Sequence, residues 1–263
     1  VPLPAALKHV ECIDCHNPHR TGWQGAPHGT DSLLVPPATV APNLGGPLRG
    51  IRGVDKTGTT PVEEAQYEYE VCFRCHAGLW ADQFTGIGPS RPVRQFESFD
   101  ESARFTGANP SYHPVTEDRQ GNGRSLLPAL QLSMVRIYCV DCHNPHGSNH
   151  PYMLEAENNS GYPALGTSYQ LCFSCHDQDY LLTPTASPKS GSNDLHNKHV
   201  IDEKVSCSVC HDPHGVPAGS GASPANGAHL VNFDISYTGG APTYDAVARS
   251  CTVSCHSSNP QSY

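Results

Sequence analysis

Apolar residues are sparse along this chain, and none of their runs approaches the length that spans a bilayer. Two segments nevertheless carry helix signals. Thr60-Pro61-Val62-Glu63 combines a hydroxyl cap, a first-turn proline and the Glu of a capping box, so we expect a helix from Pro61 to about His76. The segment from Thr243 to about His256 has Asp245 in its first turn and no internal Gly or Pro, which also favours a helix.

Composition predicts that ordinary apolar packing does not build the core. Leu, Ile, Val and Phe together number 49 of 263 residues, which is below the roughly one-fifth at which a charged chain usually stays disordered. The 24 Gly and 24 Pro favour turns and irregular chain. We therefore expect a fold of mostly irregular coil with a few short α-helices and little β, in which a bound group replaces a conventional core.

The twelve cysteines fall into six pairs, and a histidine directly follows each pair. Five pairs read Cys-x-x-Cys-His, and the sixth has one extra residue between its cysteines. In chain order we call them motif 1 (Cys12, Cys15, His16), motif 2 (Cys72, Cys75, His76), motif 3 (Cys139, Cys142, His143), motif 4 (Cys172, Cys175, His176), motif 5 (Cys207, Cys210, His211) and motif 6 (Cys251, Cys255, His256).

Cys-x-x-Cys-His is the attachment signature of haem c, in which two sulfurs bond to the porphyrin and the histidine binds iron. Structural zinc, disulfides or a thioredoxin-like pair would also use paired cysteines. Zinc knuckles pair with one another and do not need a histidine after every second cysteine, and a disulfide scaffold has no use for that histidine. The sequence thus predicts six covalently attached haems c, including one at motif 6, where the wider spacing should change the local haem geometry.

A repeat overlies the motifs. Motifs 1, 3 and 5 continue into a second histidine as Cys-His-Asn/Asp-Pro-His, and each is preceded by a histidine followed by or close to valine. Motifs 2 and 4 share Cys-Phe-x-Cys-His. We predict three paired-haem modules in one continuous haem-wrapping domain, with boundaries at 1–105, 106–187 and 188–263.

Ten of the 16 histidines lie outside the motifs and are candidates for the second iron ligand. Six of them recur at equivalent places in the repeat, and we expect these to be the distal ligands: His9, His19, His113, His146, His199 and His214. His28, His150, His196 and His229 are alternatives, with His196 the first to replace His199. Met134 and Met153 could also ligate iron, but neither recurs across the modules.

Chain reach limits which iron the second histidine of a Cys-His-x-Pro-His unit can serve. Two histidines on opposite faces of one iron have Cα atoms roughly 12 Å apart, given iron–nitrogen bonds near ~2 Å. Three residues span at most ~10–11 Å. His19, His146 and His214 should therefore bind a neighbouring haem, which would bring adjacent haems close together.

These residues resemble a family. The doubled motif, with Cys-His-Asn-Pro-His and a partner such as Leu171-Cys172-Phe173-Ser174-Cys175-His176, looks like the multihaem c-type cytochromes of metal-reducing bacteria and some archaea. In haem number and sparse wrapping it is similar to the six-haem extracellular cytochrome filaments, or nanowires. That resemblance implies haems alternating between parallel-stacked and T-shaped pairs, each with two histidines. It also implies a homopolymer in which His19 crosses to the next subunit, with the motif 5 haem as the best acceptor.

The expected function is electron conduction along closely spaced haems, as an extracellular filament that passes electrons to other redox proteins or extracellular acceptors. A monomeric periplasmic or surface-complex carrier is one alternative. A multihaem oxidoreductase with an open haem is another, but all six motifs end in histidine, so we expect no catalytic residues. Haem attachment occurs after export, and Val1 in place of Met predicts a removed signal peptide, so we expect an extracellular or cell-surface location. The net charge of −9 argues against nucleic acid as a partner.

Overall fold

The structure is a computed structural model that describes residues 10–19, 44, 48, 50–78, 91–121, 123–160, 164, 168–183, 189–190, 193–256 and 261–262. Irregular chain makes up most of these residues, and the helices are short. The α-helices are α1 (Cys12–Cys15), α2 (Glu68–His76), α3 (Glu101–Arg104), α4 (Cys139–Cys142), α5 (Gln170–Phe173), α6 (Gln178–Leu182), α7 (Cys207–Cys210) and α8 (Ile235–Thr238). The predicted fold of coil with a few short helices and little β is confirmed.

The β-structure of the described residues consists of small antiparallel ladders. Four of them have two strands: β1 (Gly53–Val54) with β2 (Pro61–Val62), β3 (Ser111–Tyr112) with β8 (Gly215–Val216), β4 (Arg119–Gln120) with β5 (Met134–Val135), and β6 (Lys189–Ser190) with β7 (Asn193–Asp194). A fifth ladder has β10 (Ser250–Thr252) between β9 (Thr243–Asp245) and β11 (Gln261–Ser262). The β3–β8 pair ties the segment before motif 3 to the segment directly after His214.

The helix expected from Pro61 begins seven residues later, at Glu68. Pro61 and Val62 instead form β2, because the Asp55 carboxylate accepts hydrogen bonds from the N–H groups of Thr59 (3.3 Å) and Thr60 (3.1 Å) and closes a hairpin turn. The true cap lies further along the chain, where the Glu70 carboxylate accepts from the N–H of Tyr67 at 3.1 Å. The Thr60–Glu63 signature was therefore a turn signal, and the helix prediction was wrong at its start.

The helix expected from Thr243 to His256 was wrong. Asp245 Oδ1 accepts from the N–H groups of Val247 (2.8 Å) and Ala248 (2.7 Å), which makes a turn between β9 and β10. Arg249 then adopts a positive φ of 52°, which an α-helix does not allow. Motif 6 thus begins on a strand at Cys251 and ends on a 3₁₀ turn, whereas motifs 1, 3 and 5 each occupy one α-helical turn.

In the described part of the chain, buried apolar residues form three small clusters, and motif cysteines pack against each of them. The cluster around Phe73 and Phe105 contacts Cys139, and the cluster around Ile51 and Val71 contacts Cys15. The third contains Val231, Phe233, Tyr244 and Val253 and contacts Cys210 and Cys251. Each of these clusters therefore lies beside at least one motif cysteine.

A buried polar cluster joins segment 94–104 to segment 212–232. Asp212 is 1% exposed and lies between two buried guanidinium groups, those of Arg94 and Arg104. Asn232, which is fully buried, donates from Nδ2 to Asp212 Oδ2 at 3.1 Å. This cluster fixes the position of motif 5 and of the residues that follow it. Among the residues described, no helix is both long and apolar enough to cross a membrane.

Candidate haem centres

The local fold of motifs 1, 3 and 5 brings their two sulfurs to one face of a single helical turn, since residues three apart share a helix face, and the histidine follows as the extended C-cap of that turn. In each, the histidine N–H donates to the carbonyl of the first cysteine, at 2.8 Å in motif 1 and 2.9 Å in motifs 3 and 5. Asp14 and Asp141, inside motifs 1 and 3, each accept from the N–H of the residue before the first cysteine at 2.8 Å. The motif sequence therefore forms its own helical turn.

In each Cys-His-x-Pro-His unit, the Asn or Asp directly after the first histidine orients the second histidine. The Oδ1 atoms of Asn17 and Asn144 accept from the N–H groups of His19 and His146, both at 3.0 Å. Asp212 holds the His214 N–H in the same way at 3.2 Å. This is an Asx turn, which an Asn or Asp before a proline favours and which sequence reasoning did not use. The turn directs the second histidine away from its own motif.

Within the described residues, five motif histidines each face a second histidine ring. The ring centroids are 5.9 Å apart for His16–His146, 5.9 Å for His143–His214, 6.2 Å for His176–His113, 6.1 Å for His211–His196 and 5.8 Å for His256–His199.

These separations fit a haem iron between the two rings. An iron–nitrogen bond of ~2 Å plus ~1.1 Å to the ring centre puts two imidazoles on opposite faces of one iron ~6.2 Å apart between centroids. The observed range is 5.8–6.2 Å. In no pair do both histidines come from the same Cys-His-x-Pro-His unit: His146 faces motif 1 and His214 faces motif 3.

Four of the six histidines expected as distal ligands face a motif histidine. His113, His146, His199 and His214 each face a motif histidine, and so does His196, which the sequence offered only as an alternative. Within the described chain, neither the exposed His19 nor His150 nor His229 makes a ring contact with a motif histidine, and no second histidine faces His76. His9 and His28 lie outside the described residues.

His196 and His199 stand three residues apart at the start of one helical segment (Asn197–Asp202 and its N-cap), yet they face different motifs. His196 faces motif 5 and His199 faces motif 6. The His-x-x-His spacing is the sequence signal that could have identified His196. On a helix this spacing puts both rings on one side, where each ring can face a different one of two neighbouring haems.

Backbone carbonyls orient four of the facing rings. The Nδ1 atoms of His143, His199 and His211 lie 2.9, 2.8 and 2.9 Å from the carbonyls of Tyr152, Leu195 and His229. His113 Nδ1 likewise contacts the Pro213 carbonyl. A proton held at Nδ1 leaves Nε2 as the metal-binding atom. Burial lowers the pKa of His113 and His211 to about 4, which keeps both rings neutral, as ligands must be.

The cysteine thiols, which become thioethers when haem is attached, link the motifs in chain order. Thiols of consecutive motifs are close enough to interact electrostatically: Cys15 with Cys72 and Cys75, Cys72 with Cys139, Cys142 with Cys175, Cys172 with Cys207, and Cys210 with Cys251 and Cys255. Motifs that are neighbours in sequence are thus neighbours in space. Cys12 and Cys255, in the first and last motifs, are the exposed ones.

Glu68 locks motif 3 onto the helix of motif 2. Its carboxylate, 4% exposed, accepts from the N–H groups of Cys139 (3.0 Å) and Val140 (3.1 Å) at the start of α4. Burial raises its pKa to about 7 despite these hydrogen bonds. Glu68 also lies with Cys72 and Cys139 in a group that could hold a metal ion, but both sulfurs belong to haem motifs. Its contacts give it a structural role that the sequence did not suggest.

Comparison with known proteins gives one match. Residues 134–180, which contain motifs 3 and 4, match the family described as a doubled CXXCH motif. No curated protein and no solved structure matches the chain. The match supports a multihaem c-type cytochrome with a role in electron transfer, and the CXXCH motifs indicate covalently bound haem c.

Proposed function

We propose that this chain is a hexahaem c-type cytochrome that conducts electrons along closely spaced haems, each ligated by two histidines. The observation that carries the proposal is the set of five histidine pairs at 5.8–6.2 Å, each joining a motif to a histidine outside it. When bound, each haem supplies an iron that alternates between Fe(III) and Fe(II) and so carries one electron. The chain's own residues would hold the haems in sequence order, with two histidines available to each iron.

The sixth pair follows from the repeat. His113 precedes motif 3 and faces motif 4, and His199 precedes motif 5 and faces motif 6. His9 stands at the equivalent place before motif 1, so we assign it to His76 of motif 2. Every iron then has two histidines, which leaves no coordination position for a substrate. On this reading the protein is a conduit and not an enzyme, and its three modules are 1–105, 106–187 and 188–263.

Removal of His146 tests the pairing. His146→Ala should convert one haem from low-spin to high-spin and let that haem bind carbon monoxide when reduced. His150→Ala is the matched control, because His150 lies four residues away and faces no motif histidine within the described chain. The control should keep every haem low-spin.

A double variant tests whether His143 and His146 bind different irons. If His143 and His146 bind different irons, the double variant His143→Ala/His146→Ala should show two altered haems where each single variant shows one. A double variant with only one altered haem would mean that the two histidines share an iron, and the pairing would be wrong.

We further propose that the protein polymerises outside the cell, with His19 as the ligand donated between subunits. His146 and His214, held by the same Asx turn as His19, each face the odd-numbered motif before their own. His19 follows motif 1, the first of the six motifs, and it is exposed and contacts no motif histidine within the described chain. If each such histidine serves the odd-numbered motif before its own, His19 would serve the last odd-numbered motif, motif 5, of an adjacent copy.

His196 competes with the proposed contact between His19 and motif 5 of an adjacent copy, because it already faces His211 of motif 5 within the chain. In a filament, His19 of the adjacent copy would have to displace it. The internal pair therefore favours the second candidate, a monomeric carrier at the cell surface or in the periplasm, where His196 remains the ligand.

Electron microscopy of the native protein and of two variants separates these candidates. A polymer bridged by His19 predicts filaments for the native chain, short or absent filaments for His19→Ala, and normal filaments for His196→Ala. A monomeric carrier predicts no filaments in any of the three, and one high-spin haem in His196→Ala.

A further inference from the structure

The ring of His214 differs from four other facing histidines in the partner of its Nδ1 atom. His214 Nδ1 lies 3.2 Å from the carboxylate oxygen Oε2 of Glu101. The Nδ1 atoms of His113, His143, His199 and His211 contact backbone carbonyls instead. Among these rings, His214 therefore has a charged acceptor where the others have a neutral one.

Glu101 is held in place for this contact. Its Oε1 accepts from Arg104 Nη1 at 2.8 Å, one helical turn along α3. Its Oε2 is shielded from solvent and makes no hydrogen bond of good geometry within the described chain, and the ring nitrogen Nδ1 of His214 lies 3.2 Å away at ion-pair distance. Phe105 packs on His214 with ring centroids 5.3 Å apart and limits how far the imidazole can turn away.

The carboxylate keeps its negative charge. Its Oε1 forms an ion pair with Arg104 Nη1 at 2.8 Å, and this ion pair favours the ionised carboxylate. Arg104 in turn donates to Asp212, so its positive charge is shared between two carboxylates. Glu101 is therefore only partly neutralised by its ion pair.

We propose that Glu101 is a positioning residue for His214 and that its charge makes His214 a more strongly donating axial ligand, which lowers the reduction potential of the haem at motif 3. This inference rests on the proposed function, in which His143 and His214 ligate that haem. A carboxylate that accepts the Nδ1–H draws the proton away from the ring and increases electron donation from Nε2 to iron. Added donation stabilises Fe(III) over Fe(II), and second-shell hydrogen bonding is one of the means by which a protein sets haem potential.

Glu101→Gln tests the charge while keeping a side chain of the same length. Midpoint potentials of the haem-loaded protein are measured by spectroelectrochemical titration, and its oxidised low-spin signals by electron paramagnetic resonance. We expect one midpoint to rise and one low-spin signal to change its g-values, with the other haems unaffected. Glu101→Asp, which keeps the charge for Arg104 but shortens the reach to His214, should raise the same midpoint by a smaller amount.

Asp118→Asn is the matched control. Asp118 pairs with buried Arg136 through a 2.6 Å contact, and its side chain is 17% exposed against 19% for Glu101. No ligand histidine is among its contacts in the described chain. A loss of general packing would shift both variants alike, whereas the proposal predicts a shift only for Glu101→Gln.

A double-mutant cycle shows whether Glu101 changes the midpoint potential through His214. In a His214→Met background the Nδ1 donor is gone, so adding Glu101→Gln should produce no further shift. Intact mass and the low-spin signals are recorded first on every sample. Haem missing from motif 3, or a motif 3 iron that keeps its two histidines in His214→Met, would overturn the proposed ligation itself. Full haem loading with unchanged midpoints in Glu101→Gln, or an equal shift in Asp118→Asn, would overturn only the role of Glu101.

Discussion

Asp212 supports the position of motif 5 by charge as well as by its Asx turn, so replacing it with Asn separates the two roles. An Asn at 212 keeps an Oδ1 for the His214 N–H, as Asn144 does for His146 in motif 3. It loses the negative charge that lies between Arg94 and Arg104, whose side chains are 6% and 9% exposed.

The expected cost follows from what the two arginines retain. Breaking a buried ion pair by removing one partner costs about 3–5 kcal/mol, because the remaining charge is left buried. Arg104 keeps Glu101 at 2.8 Å, and Arg94 still donates to the carbonyls of Ser208 at 2.7 Å and Asn232 at 2.9 Å. We therefore take the low end and expect Asp212→Asn to lower the free energy of unfolding by about 3 kcal/mol, which lowers the melting temperature by roughly 6–12 °C for a chain of this size.

Guanidinium unfolding followed by circular dichroism in the haem absorption band measures this cost. The reverse exchange, Asn144→Asp, is the control: it keeps the turn and adds a charge at a partly exposed position, so it should change stability by less than ~0.5 kcal/mol. A loss below ~1 kcal/mol for Asp212→Asn would refute the reasoning, because a cost that small is typical of an exposed ion pair rather than a buried one.

Further predictions concern the haem count and its ligands. Intact mass under denaturing conditions should exceed the polypeptide by six haems; an excess of five, with free thiols mapped to Cys251 and Cys255, would contradict the assignment of motif 6. Every iron should be six-coordinate and low-spin, so a high-spin signal or rapid carbon monoxide binding in the native protein would revive the enzyme alternative. His9→Ala should open one haem, that of motif 2, while His28→Ala should open none; the opposite outcome would move the ligand to His28.

The covalent chemistry of this protein could be read from its sequence because it is local. Two cysteines and a histidine within five residues form one helical turn and need few distant contacts, as motifs 1, 3 and 5 illustrate. Chain reach was also sufficient to predict that His146 faces a motif other than its own, since that argument depends only on backbone length.

Partner choice and helix boundaries depended on distant contacts. His196 faces motif 5 because a helical segment carries it there together with His199, and the repeat contains no equivalent position that could have identified it. The Glu101 contact joins α3 to a histidine 113 residues later in the chain, at 214. The segment from Thr243 became strands because β10 pairs with β9 and β11, a tertiary effect that overrides local helix preference.

The most direct test of the account is a density map of the haem-loaded protein at a resolution that shows the axial ligands. The account predicts six haems in the order of motifs 1 to 6, with His146 on the motif 1 iron, His214 on motif 3, His113 on motif 4, His196 or His19 of an adjacent copy on motif 5, and His199 on motif 6. An iron held by His143 and His146 together, or consecutive motifs whose haems are not neighbours, would contradict it.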